Sequence, residues 1–259
     1  MPSFPPVQSV QRALGLLAEL NKQRVTTVGE LHHRTGLPKP TIVRLLETLM
    51  ASGYVASDHR LRGYQVTSQV ATLSSGFHGA PMVIEAARPW AIGLTRTLKW
   101  PVAIALLEKD AVVVRFSTIA DSPVSPFHAT INMRLSLMSR GLGRAYLAYC
   151  PRDERQLLVR MLASSQDPED RPKDLPKVVQ QMVRSIRSKG YAERIAHAEP
   201  RSSNTVAVPI MNDGRVLATV GLTYFRSAVS REELLEHLVP ALKEAGAGIE
   251  RSIQALHVA

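Results

Sequence analysis

Thr41, Arg44 and Thr48 recur at i, i+3 and i+7 in the stretch PKPTIVRLLETLMASG, with Lys39 just ahead of them. On a helix this spacing brings hydroxyls and a guanidinium onto one side. Short hydroxyl side chains let a helix approach base edges closely, and Lys and Arg reach phosphate or guanine. The chemistry implied is recognition of a nucleic acid duplex rather than bond making. The opposite side carries Ile42, Leu45, Leu46 and Leu49 at i, i+3, i+4 and i+7, a single apolar stripe that demands a core beneath it.

Other reactive side chains are sparse. The eight histidines (His32, His33, His59, His78, His128, His197, His237 and His257) form no H-x-x-x-H or comparable spacing, so no metal is called for. Cys150, the single cysteine, could be a nucleophile, but its neighbours Tyr149 and Pro151 supply no cation, and a buried structural thiol is the better reading. One cysteine also rules out an intrachain disulfide and fits a reducing compartment. His128 could touch an aromatic ligand, though a structural histidine is the simpler role. There is no P-loop, dinucleotide fingerprint or G-x-S-x-G elbow, hence no cofactor and no catalytic residue to name.

The elements around the basic face follow from local signals. Thr27 and Glu30 have the spacing of a capping box, so a helix starts near Val28 and stops at Gly36, and the next restarts through Leu37-Pro38. Helix, tight turn and second helix is the pattern of a helix-turn-helix; an ordinary amphipathic helix pair is the alternative. Ser9 is a plausible N-cap for a preceding helix that buries Val10, Leu14, Leu17 and Leu20. Beyond Gly53, residues 54–56 and 64–66 read as short strands around the basic tip DHRLRG, a wing that would set Arg60 and Arg62 beside a phosphate backbone; a solvated hairpin tip is the other reading.

The remainder changes character. Residues 67–77 read as a short helix with Val70 and Leu73 inward, and the segment 76–81 breaks it, which is where the domain boundary is set. A helix over 82–98 follows, then strands over 101–107 and 111–116, and a second pair over 204–211 and 215–225 around Asn212-Asp213-Gly214, a strong hairpin signal. Helices over 143–149, 151–164, 175–189 and 230–256 fill the gaps. Hairpins separated by helices give an α+β sensor-like domain built on one sheet. With 259 residues the chain has room for two domains. A formal charge of +10 suits a polyanionic partner. Residues 1–75 hold eight Lys/Arg against four Asp/Glu, so charge alone does not single out the N-terminal part. With no basic-then-apolar leader and no long apolar run, the expectation is a cytoplasmic protein with no membrane partner.

In order and spacing, these segments resemble the IclR-type bacterial transcriptional regulators over nearly the whole chain. ELHHRTGLPKPTIVRLLETLMASGYV resembles the family's winged helix-turn-helix; MSRGLGRAYLAY, KGYAER and TVAVPIMNDGRVLATVGLTYF resemble parts of its effector domain. LKWPVAIALLEKDAVVVRFST and SPFHATINMRLSLMSRGLGRAYLAYCP resemble the subgroup that controls degradation of aromatic acids such as hydroxyphenylpropionates. The resemblance implies a flexible tail (1–6), a winged helix-turn-helix DNA-binding domain (7–67), linker helices (68–99) and a GAF-like effector-binding domain (100–259). It also implies double-stranded DNA with a palindromic operator as partner, a homodimer or tetramer, and a small organic acid, aromatic by subgroup, as effector.

By position, the DNA-binding residues would be Lys39, Thr41, Arg44, Thr48, Arg60 and Arg62, and the effector-binding residues Gly141, Leu142, Arg194, Thr205, Gly221 and Thr223. Arg194 stands where some members carry an acid, and residues 196–203 align with a one-residue shift. Free backbone N–H groups near Gly141 could hold a carboxylate, with the two threonines orienting it; the plainer alternative is that Gly141 permits a turn and the threonines fill strand positions. Set against the regulator is a small-molecule-processing enzyme whose N-terminal helices serve dimerisation.

Overall fold

Helix starts and stops in the N-terminal part follow the residues that can satisfy free backbone groups. In the computed structural model, residues 4–73, 82–170 and 173–258 are described, and the chain divides into two units, Met1–Gly79 and Ala80–Ala259. The segment 76–81, where the sequence sets the boundary, lies outside the described residues. In the first unit, α1 (Gln8–Leu20), α2 (Val28–Thr35) and α3 (Lys39–Ala51) precede a two-stranded antiparallel wing, β1 (Val55–Asp58) and β2 (Gly63–Val66), and a single turn, α4 (Gln69–Thr72).

The capping box forms: the Thr27 N–H donates to Glu30 Oε2 (2.7 Å) and the Glu30 N–H to Thr27 Oγ1 (3.3 Å). The bonds that the Thr27 N–H and hydroxyl donate to the Glu30 carboxylate hold it below the usual range. α2 ends at Gly36, and α3 begins after Pro38 with Pro40 in its first turn, where a missing N–H costs nothing. Leu16, Leu20, Leu31, Ile42 and Leu46 are fully buried together with Val55, and burying each leucine contributes about 2–3 kcal/mol.

Three expectations fail here. Helix α1 is entered from Val7, with Ser9 inside the first turn rather than capping it. Val10 and Leu14 are 53% and 60% exposed, because the apolar stripe runs past the part of α1 that Leu16, Leu17 and Leu20 seat against its neighbours. Leu73 is likewise exposed, while Val70 packs on the small core; the rest of the helix expected over 67–77 falls on residues that are not described.

In the second unit an antiparallel six-stranded sheet has the order β5-β4-β3-β8-β7-β6, with β3 (Val102–Glu108), β4 (Ala111–Ser117), β5 (Arg134–Ser136), β6 (Ala192–Glu193), β7 (Ser203–Asn212) and β8 (Arg215–Phe225). The α+β class is as read from the sequence. Alternation along each strand divides the core into two. On one face Val102, Ile104, Val206, Val208, Ile210, Val220 and Leu222 pack with α5 (Met82–Leu98) and α10 (Val239–Val258). On the other, Ala105, Val112, Val114 and Ala207 pack with α6 (Gly141–Tyr149), α7 (Arg152–Ala163) and α8 (Leu175–Lys189). α5, which the sequence reading counts among linker helices, buries Val83, Ile84, Ala87 and Ala91 in the first of these clusters. The last helix is not continuous: a short α9 (Arg231–Glu233), capped by Ser230, passes through a π-type turn (Leu234–Leu238) into α10.

Candidate functional site

On the first unit the polar face of α3 stands free. Lys39, Arg44 and Thr48 are exposed and Thr41 is half-buried. Ile42 and Leu46 hold the opposite side in the core, which fixes the rotation of the helix and therefore which side chains it offers. None of Lys39, Arg44, Arg60 and Arg62 has an ion pair among the described residues, so their charges are unspent. Thr48 donates its hydroxyl proton to the Arg44 carbonyl (2.9 Å), so toward a ligand it can only accept.

Arg60 and Arg62 sit exposed at the wing tip, which closes when the Leu61 N–H donates to Asp58 Oδ1 (2.9 Å). Thr26 adds a backbone bridge to Tyr64 that ties the wing to the entry of α2. Two exposed apolar side chains that sequence reasoning passed over share this surface's elements, Val43 on α3 and Leu61 at the tip. Their signal was available: Val43 interrupts the polar side, and Leu61 is a lone apolar residue within a basic turn.

On the second unit a cavity of about 50 Å³ opens beside the start of α6. Ala103, Val114, Phe127, Met133 and Leu135 give it apolar walls, and Thr130, Arg140, Gly141, Leu142, Arg194, Thr205 and Thr223 supply its polar groups. Five of the six residues expected here are therefore together: Gly141, Leu142, Arg194, Thr205 and Thr223. Gly221 is the exception. It pairs with Ala207 and so lies on the correct sheet face, but the Leu142 side chain covers it, and a Cβ there would come within 2.9 Å of Leu142 Cδ2.

The cavity is held open from the sequence upward. β7 and β8 pair Thr205 with Thr223, bringing the two hydroxyls to 2.9 Å. α6 starts without a side-chain cap, which leaves first-turn N–H groups free at Gly141 and Leu142 among the described residues. It can approach β7 and β5 only because its first turn carries glycines: a Cβ at Gly141 would lie 2.7 Å from the Thr205 carbonyl oxygen, and one at Gly143 2.1 Å from the Ser136 carbonyl oxygen. Asp170, fully buried, accepts from Ser136 Oγ (2.5 Å) and Ser165 Oγ (3.0 Å) and so braces the same turn, and burial pushes its carboxyl above the usual range. Arg140 grips Glu169 through Nη2 (2.6 Å) and Nε (3.1 Å). Burial raises the Glu169 carboxyl, yet hydrogen bonds from Ser139 and Arg140 and the Arg140 charge outweigh it and leave the group lower than usual.

Arg194 is 4% exposed. Its Nη2 donates to the Pro200 carbonyl (2.7 Å) and to both the carbonyl and the hydroxyl of Ser203, and its Nε finds no acceptor among the described residues. Burial, then the charges of Arg140 and Arg226, bring its pKa down to about 10. Besides Ala103 and Val114 on the strands, sequence reading missed Arg140, Phe127, Thr130, Met133 and Leu135. The last four lie on or beside a loop, where no periodicity marks a facing direction, and Arg140 would have been visible only as the residue before a helix N-terminus.

Cys150 is fully buried, and burial pushes its thiol up to about 12, the opposite of an activated nucleophile. His128 is exposed and does not line the cavity, although its neighbour Phe127 does.

Comparison with known proteins bears on both regions. Residues 9–59 match the model of the IclR helix-turn-helix domain, and residues 80–251 match the model described as bacterial transcriptional regulator IclR C-terminal. The HTH-type transcriptional regulator KdgR of Escherichia coli is 25% identical over 234 residues, covering 90% of this chain and 88% of that protein. Among solved structures, a putative transcriptional regulator from Rhodococcus sp. RHA1 is 24% identical with a TM-score of 0.67, covering 97% of this chain and all of that one. An IclR homologue from Microbacterium hydrocarbonoxydans, solved with 4-hydroxybenzoate, is 18% identical with a TM-score of 0.60 and covers 95% of this chain and 99% of its own.

Proposed function

Because the chain belongs to the IclR family of bacterial transcriptional regulators, we propose that it reads a palindromic operator through α3 and the wing and that a small aromatic acid, held beside α6, sets that binding. It is a DNA-binding transcriptional regulator, and regulation rather than catalysis is its activity. The observation that carries the reading is the division of α3 into a buried apolar side and an exposed side of hydroxyls and unpaired cations.

In a major groove, Thr41 and Arg44 come nearest the bases, Thr48 accepts from an exocyclic amine, and Lys39, Arg60 and Arg62 hold phosphates. Val43 and Leu61 are placed on elements that could meet thymine methyl groups. A palindrome requires two copies, and the exposed apolar residues Val7, Val10 and Leu14 on α1 and its entry favour a homodimer, or a tetramer built from it. Such a regulator works in the cytoplasm, where the DNA is; no helix among the described residues is long and apolar enough to cross a membrane.

For the effector, a hydroxybenzoate complex of a same-fold relative supports an aromatic acid. The cavity supports it too, with apolar walls, free N–H groups at a helix start and buried guanidinium. At about 50 Å³ it is far smaller than the few hundred Å³ a ring compound needs, so binding selects an arrangement in which its walls part. A ligand that prefers one arrangement shifts the populations of both, which is how it can alter DNA affinity.

A gel shift with the DNA upstream of its own gene, at rising salt, tests the regulator reading. Affinity should fall steeply, by roughly one power of salt concentration per phosphate contact. Binding that ignores salt and sequence would favour the rival enzyme reading. Calorimetric titration with hydroxyphenylpropionates, benzoates and short keto acids tests the effector class, and a response to the short acids alone removes the aromatic assignment.

A further inference from the structure

Between α7 and α8 runs an open groove of about 650 Å³. Arg152, Arg155, Val159 and Arg160 fall at i, i+3, i+7 and i+8 on α7, across from Val179 and Val183 at i and i+4 on α8, so one stripe of each helix lines it. The valines are buried or half-buried, and Arg152 and Arg160 are exposed. Arg155 is held by the carbonyls of Leu147 (3.4 Å) and Ala148 (3.0 Å) at the end of α6. None of these three arginines has a carboxylate within ion-pair range among the described residues. Glu154, on the same helix, accepts from the Tyr146 hydroxyl (2.5 Å) instead. The groove is therefore apolar inside and cationic at its rim.

The opposite surface stands elsewhere on the same unit. Where α9 passes into the π-type turn, Leu234 and Leu238 are buried, which fixes the rotation of the turn and leaves Leu235 44% exposed. Glu232, Glu233 and Glu236 surround it, all exposed and none in an ion pair among the described residues. Arg231, the cation nearest in sequence, is taken by Glu193 at 3.1 Å. In a chain with 32 Lys/Arg and 22 Asp/Glu, three adjacent unanswered acids around a bare leucine are the exception.

We propose that this acidic turn of one copy docks in the α7–α8 groove of a second copy, Leu235 entering between the valines while Glu232 and Glu236 meet Arg152 and Arg160. Charge and polarity match part for part: apolar tip to apolar floor, acids to arginines. Exposed ion pairs alone contribute little, so such a contact needs an apolar anchor, and Leu235 supplies it. Turn and groove are different surfaces, so each copy carries one of each and the contact repeats from copy to copy unless a two-fold axis closes it. It lies wholly within the second unit and depends on neither the α1 surface nor the cavity beside α6.

The test is sedimentation velocity of the full chain at micromolar concentration in low and high salt. The parent should form a larger assembly in low salt than in high salt. The double variants Glu232→Lys/Glu236→Lys and Arg152→Glu/Arg160→Glu should each need about tenfold or more protein to reach it. Mixed together they should regain it, because each reversed surface then finds its complement. Leu235→Ser should weaken the assembly at every salt concentration. Urea unfolding establishes that each variant is folded; should a double variant not fold, Leu235→Ser and the salt series of the parent still decide.

Equal assembly by the parent and all folded variants would place the contact on another surface and overturn the proposal, as would failure of the mixed variants to recover. A parent that shows no salt-sensitive assembly, yet binds inorganic polyphosphate in calorimetry and loses it in Arg152→Glu/Arg160→Glu, would assign the groove to a soluble polyanion instead.

Discussion

The exposed face of α3 and the cavity beside α6 are assembled by opposite means. The first comes from thirteen consecutive residues whose period of 3.6 sends Ile42 and Leu46 inward and Lys39, Arg44 and Thr48 outward. The second is drawn from positions between Ala103 and Thr223, brought together by strand pairing, a helix start and a loop. The charges differ in the same way. On α3 they are exposed, so water screens them and they cost little until a polyanion arrives; at Arg194 the charge is buried and the surrounding carbonyls hold it. A surface built locally tolerates change one residue at a time, whereas a cavity built from remote parts depends on a few close approaches.

That contrast can be broken most sharply at Gly143. Gly143→Ala would force a Cβ against the Ser136 carbonyl oxygen and the Leu137 Cα, both backbone, and should cost about 3 kcal/mol or more in urea unfolding of the second unit. The same variant should leave unfolding of the first unit unchanged. A loss under about 1 kcal/mol would mean that α6 approaches its neighbours less closely than described.

Next in size is Leu46→Ala. It should cost about 3 kcal/mol through the cavity it leaves and weaken DNA binding only by unfolding the domain, so osmolyte should restore binding. Thr27→Ala, which removes one half of the capping box, should lower the stability of the first unit by about 1 kcal/mol, read from its thermal midpoint.

The smallest effect is on pH. The folded Glu169 carboxyl lies below its unfolded value, so its contribution is fully present above the usual glutamate pKa of about 4.3 and is lost as pH falls through the lower folded value. Glu169→Gln should flatten the stability profile of the second unit in that acid window. An unchanged profile would show that the Arg140 pair is too solvent-screened to matter.

Much of the fold was legible because it follows from neighbours in sequence. The Thr27–Glu30 box, the stripe of α3 and the Asp213-Gly214 turn each involve residues within a few positions, and each formed as the sequence indicates. The two short edge strands were not legible: β5 has three residues and β6 two, too few for alternation to register. Val10 and Leu14 show a different limit, since an apolar stripe says that a face wants a partner and not where the partner comes from.

Five of the twelve residues that line the cavity came from resemblance, not from pattern, because Gly141, Arg194 and Thr205 are remote in sequence. Gly221 was misplaced for a related reason: its strand position gives the sheet face, but only packing shows that Leu142 lies over it. Arg194 is an arginine like many others until its burial is known.

Sequence preference on DNA depends most on Arg44. Fluorescence anisotropy with an operator duplex and a scrambled one, at fixed salt, compares parent and Arg44→Ala directly. The prediction is a loss of about 1–3 kcal/mol on the operator with little change on the scrambled duplex, so that the ratio of the two affinities collapses. Parent-like affinity and parent-like preference in folded Arg44→Ala would contradict the claim that this face of α3 reads sequence.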